Sequence, residues 1–339
     1  MSDASVPAAV TPRSDPSRIG PRGAGTPIHR LPRASSTQDE AARRAAGGET
    51  LPFAVTTLDQ HGGRGRLGRV WTAPAGTGLA LTLAVRTVLP PPRRTWIPLL
   101  AGVAVLDALE ELSPGLRQAT GLGLKWPNDV LVPPARPGGR DRKLSGILVE
   151  GRGRDTVLIG IGTNLQDPAP AAEDRAAVPA AAWLLGPGGL LAPAGCGPVE
   201  PAQASACGAR LAQLLVTALL RRLGQLEAAV DPMSAGLHET YRMSCVTLGR
   251  DVRIQPLGAA PAEGGADLHG TAIGIDPDGR LVVRSPGGAE TAVDAGDVLH
   301  AGIGTRHDTD DRTAAGKAIT GPTAADVSTA GQTSAGEHR

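Results

Sequence analysis

Lysine and asparagine are scarce in this chain, and where they occur they cluster. Of 34 basic residues only Lys125, Lys143 and Lys317 are lysines, and the two asparagines are Asn128 and Asn164. The composition is otherwise rich in Ala, Gly, Pro and Arg, as codons of a GC-rich genome would make it. A residue that survives such pressure marks a place where a substitute fails chemically. A lysine ammonium is a compact point charge that an arginine fork does not imitate, and an asparagine amide carries a donor and an acceptor on one short arm. These residues pick out three segments: Leu124–Asp129 (LKWPND), Lys143–Glu150 (KLSGILVE) and Gly160–Asn164 (GIGTN). Upstream, Gly62–Arg69 packs four glycines and three arginines into eight positions. Each glycine loses much backbone freedom on ordering, so helix and strand are both disfavoured. An ordered loop that offers N–H groups and guanidinium forks to an anion suits it better. The Gly-Lys-Ser/Thr ending of a P-loop is missing, and a flexible solvated Gly/Arg loop is the plain alternative.

In order, Ser35-Ser36-Thr37-Gln38, Gly63-Arg64-Gly65-Arg66-Leu67-Gly68-Arg69-Val70-Trp71 and the three later segments cover roughly Leu31 to Leu165. Together they resemble the biotin protein ligases, the biotin–[acetyl-CoA-carboxylase] ligase family, whose pattern has Asn where this chain has Gln38. The resemblance implies an α+β fold: a mixed, mainly antiparallel sheet flanked by helices, in the class II synthetase-like manner, followed by a small SH3-like C-terminal β-barrel. It also implies an activity, in which biotin and ATP, with Mg2+, give biotinyl-5′-AMP. Biotin is then transferred to one lysine of a biotin carboxyl carrier domain, as in acetyl-CoA carboxylase.

That chemistry forces a carboxylate against a polyanion. Two unit charges about 4 Å apart repel by about 4 kcal/mol at an effective dielectric of 20, so preorganised cations are needed. The chain supplies Arg64, Arg66, Arg69, Lys125 and Lys143. By the resemblance, Ser36, Thr37, Gln38 and Gln60 meet the ureido ring of biotin. Arg64, Gly65 and Arg66 fold over the biotin carboxylate and α-phosphate, and Trp71 walls the tail. Lys143 bridges carboxylate and phosphate oxygens. Arg69, Lys125, Asn128, Asp129 and Asn164 serve the nucleotide, with Lys143, Arg66 and Asp129 as the catalytic set. Local readings stay open beside these. Ser36 and Thr37 suit helix caps, Trp71 and Trp126 suit a core, and Lys125 could merely neutralise Asp129. Asp129 itself fits either magnesium held with the phosphates or the incoming acceptor lysine. No His- or Cys-rich metal site exists, so any metal arrives with ATP. A lipoate or octanoate ligase and a non-catalytic biotinyl-adenylate-binding regulator are the competing functions.

The net charge of +1 gives no electrostatic footprint for nucleic acid. No apolar run reaches membrane-span length, and Met1 to Arg30 lacks the apolar core of a signal peptide. Cys196, Cys207 and Cys245 suit reduced thiols of a cytoplasmic protein, a monomer or homodimer.

The elements that must position these residues follow from pattern. Residues 1–30 read as a disordered tail, too short for a helix-turn-helix domain. Residues 31–247 read as the biotin- and ATP-binding domain, 166–205 as a low-complexity insertion, 248–304 as the SH3-like domain and 305–339 as a second disordered tail. Within the first domain, Thr37 with Glu40 predicts a capping box and a helix to Gly47. Strands are expected over 52–57, 79–86, 122–126 and 130–132, then a hairpin of 144–150 with 156–161. Helices are expected over 95–112, near 178–185, over 206–229 and from Asp231 to Met243. Five short strands follow between 252 and 300, with Asp276-Pro277-Asp278-Gly279 as a hairpin turn and 258–265 as a loop insertion.

Overall fold

The computed structural model describes residues 25–71, 74–134, 139–168, 180–193, 195–256, 268–294 and 296–300. In chain order the elements are β1 (Ile28–Leu31), α1 (Thr37–Ala46), β2 (Phe53–Thr57), β3 (Gly63–Arg64), β4 (Val70–Trp71), β5 (Gly78–Arg86), α2 (Trp96–Leu112) and α3 (Leu116–Thr120). Next come β6 (Gly123–Lys125), β7 (Asp129–Val132), β8 (Arg142–Arg152), β9 (Thr156–Asn164), α4 (Pro201–Ala228) and α5 (Leu237–Ser244). The last are β10 (Asp251–Pro256), β11 (Leu268–Ile275), β12 (Leu281–Arg284), β13 (Glu290–Val293) and β14 (Gly296–His300).

Seven strands make the main sheet in the order β1-β2-β5-β9-β8-β7-β6. Strands β1 and β2 run parallel, and the other pairs in this sheet are antiparallel. Side chains alternate between the faces of a strand, and the sequence of β9 makes the two faces unlike. Ile159 and Ile161 join Ala54, Leu81, Leu83 and Ile147 in the large core, to which α2 and α4 contribute. Leu158 joins Phe53, Val55 and Ala84 under Ala41 of α1. Gly160 and Gly162 continue that second face without side chains. Helix α2 is apolar nearly all round and almost wholly buried, as a helix with neighbours on every side must be. Asp107 on α2 clamps Arg221 and Arg222 of α4.

A second, antiparallel sheet has the order β13-β12-β11-β10-β14. Its Asp276–Gly279 turn is plugged onto the first sheet's scaffold. Trp96 Nε1 donates to Pro277 O at 2.7 Å, and Trp126 Nε1 donates to Gly279 O at 2.9 Å. Val252, Ile254, Ala272, Leu281 and Val283 belong to the same core cluster as α2. Trp126 is therefore a core residue, 2% exposed, its indole N–H satisfied as a buried Trp requires.

Several expectations need correction. The strand Ile28–Leu31 begins inside the expected tail of residues 1–30, because its backbone pairs with β2; residues 1–24 and 301–339 lie outside the described residues. The α1 cap is Ser36, whose Oγ accepts from Asp39 N, one residue before the expected Thr37. Near 178–185 there is no helix among the described residues 180–185. Instead Ala180 O and Ala182 N bond the backbone of Lys143, so this part of the expected insertion is knitted to the sheet, and tertiary pairing overrides alanine's helix propensity. Helix α4 starts earlier than expected, where a Glu200–Gln203 capping box and Pro201 define its first turn. Helix α5 starts only at Leu237, because Gly236 at φ +68° interrupts the run from Asp231. The Gly/Arg segment does contain short strands: β3 and β4 pair as a two-stranded ribbon. The expected 258–265 loop lies outside the described residues.

Candidate active site

The ribbon, the edge of α1 and strands β7, β8 and β9 converge on the α1 face of the sheet, where glycine takes the place of side chains. Gly146 and Gly162 are directly paired across β8 and β9, and Gly160 pairs with Leu148. A Cβ on Gly162 would lie 2.6 Å from Trp71 Cε2, one on Gly146 3.0 Å from Lys143 Nζ, and one on Gly160 2.9 Å from Gln38 Oε1. Three missing side chains thus form a floor on which Trp71, Lys143 and Gln38 come down close.

At one end sits the charged cluster. Lys143 Nζ is 2.7 Å from Asp129 Oδ1 and 5.4 Å from the centroid of the Trp71 ring, within cation–π range. Arg66 donates to Asn128 Oδ1 at 3.1 Å, and Asn128 Nδ2 donates to Ile147 O at 2.9 Å. The Asn128 amide therefore uses both its functions, fixing the guanidinium to the strand that carries Lys143. Lys125 lies across from Asp129 in the β6–β7 register, and its ammonium makes no hydrogen bond or ion pair among the described residues. Burial lowers the pKa of Lys125 first of all, and Lys143 and Arg69 lower it further, against Asp129 and Asp141, which raise it. Arg66 is likewise lowered, chiefly by burial and then by Arg69, with Asp129 opposing. Both are half-buried cations that share Asp129 as counter-charge, an arrangement that suits an anionic ligand.

The other end is polar and uncharged. Thr37 N donates to Gln60 Oε1 at 2.8 Å, and Thr82 Oγ1 donates to the Thr37 hydroxyl at 2.9 Å. Gln38 Nε2 donates to Leu148 O at 3.2 Å, leaving a buried Oε1 without a partner. A buried acceptor left open costs free energy unless a donor arrives.

Most of the expected residues meet here: Thr37, Gln38, Gln60, Arg66, Trp71, Lys125, Asn128, Asp129 and Lys143. Gly65 turns the ribbon, its N–H donating to Arg69 O at 2.7 Å. Three more of the expected residues are held by protein partners. Ser36 is occupied as the α1 cap. Arg64 pairs with Asp39 and Glu150 instead of approaching Lys143. Asn164 is 5% exposed, and its amide donates to Lys143 O and Ala182 O at 3.1 and 3.0 Å. It braces the lysine's backbone from behind. What sequence reasoning missed is the floor. Its signal was present in the Gly-x-Gly of 160–162, where glycine falls on alternate positions of an otherwise β-branched strand.

Comparison with known proteins gives the family. Residues 32–164 match the family model described as "Biotin/lipoate A/B protein ligase family", and 260–300 match "Biotin protein ligase C terminal domain". A biotin–[acetyl-CoA-carboxylase] ligase of Mycobacterium tuberculosis is 35% identical over 267 residues, covering 78% of this chain and 85% of that protein. The chain belongs to the biotin/lipoate A/B protein ligase family. A second relative of this ligase, from Paracoccus denitrificans and of the same name, is 33% identical over 280 residues, covering 80% of this chain and 100% of the relative. In fold, the ligase is similar to an Aquifex aeolicus biotin protein ligase solved with biotin and ATP, with a TM-score of 0.56 at 20% identity, covering 81% of this chain and 99% of that one. Among the ligase's described residues, no helix is long and apolar enough to cross a membrane.

Proposed function

We propose that this ligase activates biotin with ATP and passes it to a lysine of a biotin carboxyl carrier domain, the acetyl-CoA carboxylase carrier being the acceptor that its relatives' names indicate. The observation that carries this reading is the pairing of two unlike ends on one floor: a neutral, hydrogen-bonding end at Thr37, Gln38 and Gln60, and a cationic end at Arg66, Lys125 and Lys143. Biotin is itself so built, with a polar ureido ring at one end and a carboxylate at the other. The Gln38 Oε1 left without a partner suits a ureido N–H, and Trp71 over Gly162 suits the apolar tail.

In the first step a biotin carboxylate oxygen bonds to the α-phosphorus of ATP, the bond to the bridging oxygen breaks, and pyrophosphate leaves. Lys143 and Arg66 offset the repulsion between carboxylate and phosphate and the charge that gathers on the phosphoryl oxygens. In the second step the acceptor lysine, having lost a proton, attacks the acyl carbon and AMP departs. Asp129 is the carboxylate at this end that can orient the incoming amine and accept its proton. Asp129 can equally meet a magnesium ion carried by the triphosphate, because such an ion takes only one or two protein carboxylates beside phosphate oxygens and water.

Pyrophosphate release from ATP, dependent on biotin, together with transfer of labelled biotin to a carrier domain, tests the reading. Binding of biotin and ATP without pyrophosphate would make the protein a regulator. Activity with lipoate and none with biotin would reassign its substrate.

A further inference from the structure

Two carboxylates take no part in the chemistry above: Glu150, which ends the Lys143–Glu150 segment, and Asp39, in the first turn of α1. Both hold the same guanidinium. Arg64 on the ribbon donates to Asp39 Oδ1 at 2.7 Å and lies 3.4 Å from Glu150 Oε2. Three elements thus meet on one side chain. Gly146, Leu148 and Glu150 share a face of β8, so this junction lies about 13 Å along the strand from the Lys143 end of the floor.

The ribbon matters because it carries Trp71, which comes down on that floor. It belongs to neither large sheet. Its base is tied by Gly62 N donating to Ser35 O, and its Lys143 end by Arg66 to Asn128 and by the Trp71–Lys143 contact. At the Gln38 end, Arg64 supplies the tie. We propose that Arg64, Asp39 and Glu150 form a strap that holds the ribbon down over the Gln38 end and sets how fast biotin and its adenylate leave; the proposal rests on the ligase reading above. All three side chains are partly exposed, at 44%, 57% and 22%. Exposed ion pairs are weak and screened by salt, so this one can break and reform in each turnover. Asp39 is the stronger anchor, because Glu150 also receives Arg152 at 2.8 Å.

The test uses the full chain carrying Asp39→Asn with Glu150→Gln, near-isosteric changes at residues outside the binding and catalytic set. Three quantities are measured: release of biotinyl-5′-AMP made in situ, the KM for biotin, and the single-turnover rate of pyrophosphate formation at saturating biotin. At about 0.01 M ionic strength, adenylate release and the KM rise about fivefold, while the single-turnover rate stays at the parent value. At about 1 M, where the screening length shrinks to about 3 Å, parent and variant converge, because salt has already loosened the parent. A merely structural role would lower the single-turnover rate and show no such convergence. Unchanged release in an active variant, or a difference that persists at high salt, overturns the strap. A parent chain that forms no pyrophosphate overturns the ligase reading instead.

Discussion

The Lys143 ammonium stands 2.7 Å from Asp129 Oδ1, yet that oxygen has no hydrogen bond: the contact is one of charge and not of direction. A lysine steered this way can swing to a phosphate oxygen without breaking an aligned bond. Lys143→Ala should lower adenylate formation by about 10²- to 10³-fold, the scale for removing one group that stabilises developing negative charge. Lys143→Arg should restore little, because a planar fork does not replace a point charge. Pyrophosphate release in a single turnover reads both. Parent-like rates in Lys143→Ala would remove the lysine from the mechanism.

Gly162→Ala places a methyl against the Trp71 ring, 2.6 Å from Cε2. Both sides of that contact are stiff, and overpacking of this kind costs about 1–3 kcal/mol. The KM for biotin should rise about tenfold or more. Gly146→Ala meets the movable tip of Lys143 instead, so it should slow adenylation more than it weakens biotin binding. Equal effects on both parameters in both variants would deny the two glycines separate places on the floor.

Asn164→Ala deletes the amide that donates to Lys143 O and Ala182 O. Loss of about 1–3 kcal/mol of stability is expected, measured by denaturant unfolding. The rate of adenylation should fall through a loosened Lys143, while ATP affinity stays near the parent value. A large loss of ATP affinity with stability intact would return Asn164 to the nucleotide pocket.

Lys125 supplies a pH dependence. Its folded pKa lies below the ordinary 10.5, mainly through burial. Between the lowered value and 10.5, the unfolded chain holds more protons than the folded one. Stability therefore rises with pH across that window, and at neutral pH the buried charge is a cost. Binding of the triphosphate favours the charged form and takes up a proton, so ATP affinity should fall as pH rises through the lowered value. Lys125→Met should stabilise the apo protein at neutral pH, weaken ATP binding and flatten its alkaline pH profile. A profile unchanged by Lys125→Met would detach Lys125 from ATP.

Trp126→Phe removes the bond to Gly279 O and should destabilise the protein by about 1–3 kcal/mol. Heat or denaturant should unfold parent and variant in one transition, since the second sheet shares its core with α2. A separate early transition in the parent would make the second sheet an independent domain.

Much of the scaffold was legible in the residues alone. Six of the seven strands of the main sheet announced themselves as apolar β-rich runs, and the five short strands near the C-terminus by alternation and a glycine-bearing turn. Helix α2 did so by the helical spacing of its apolar residues. Elements went unseen where tertiary pairing outweighs local preference: β1, the β3–β4 ribbon and the bridge of Ala180–Ala182 to Lys143 each depend on a partner far away in sequence.

By itself, the sequence determined which chemistry is available here, since lysine and asparagine persist at Lys125, Asn128, Lys143 and Asn164 in a chain that otherwise favours arginine. Only the tertiary structure decided where each stands and what it touches. It alone put Asn164 behind Lys143, Trp126 in the core, Arg64 at the far end from Lys143, and Trp71 above two glycine-bearing strands. The reason is physical: a residue's type fixes the interactions it can make, whereas the partners it makes them with come from strands brought together across the chain.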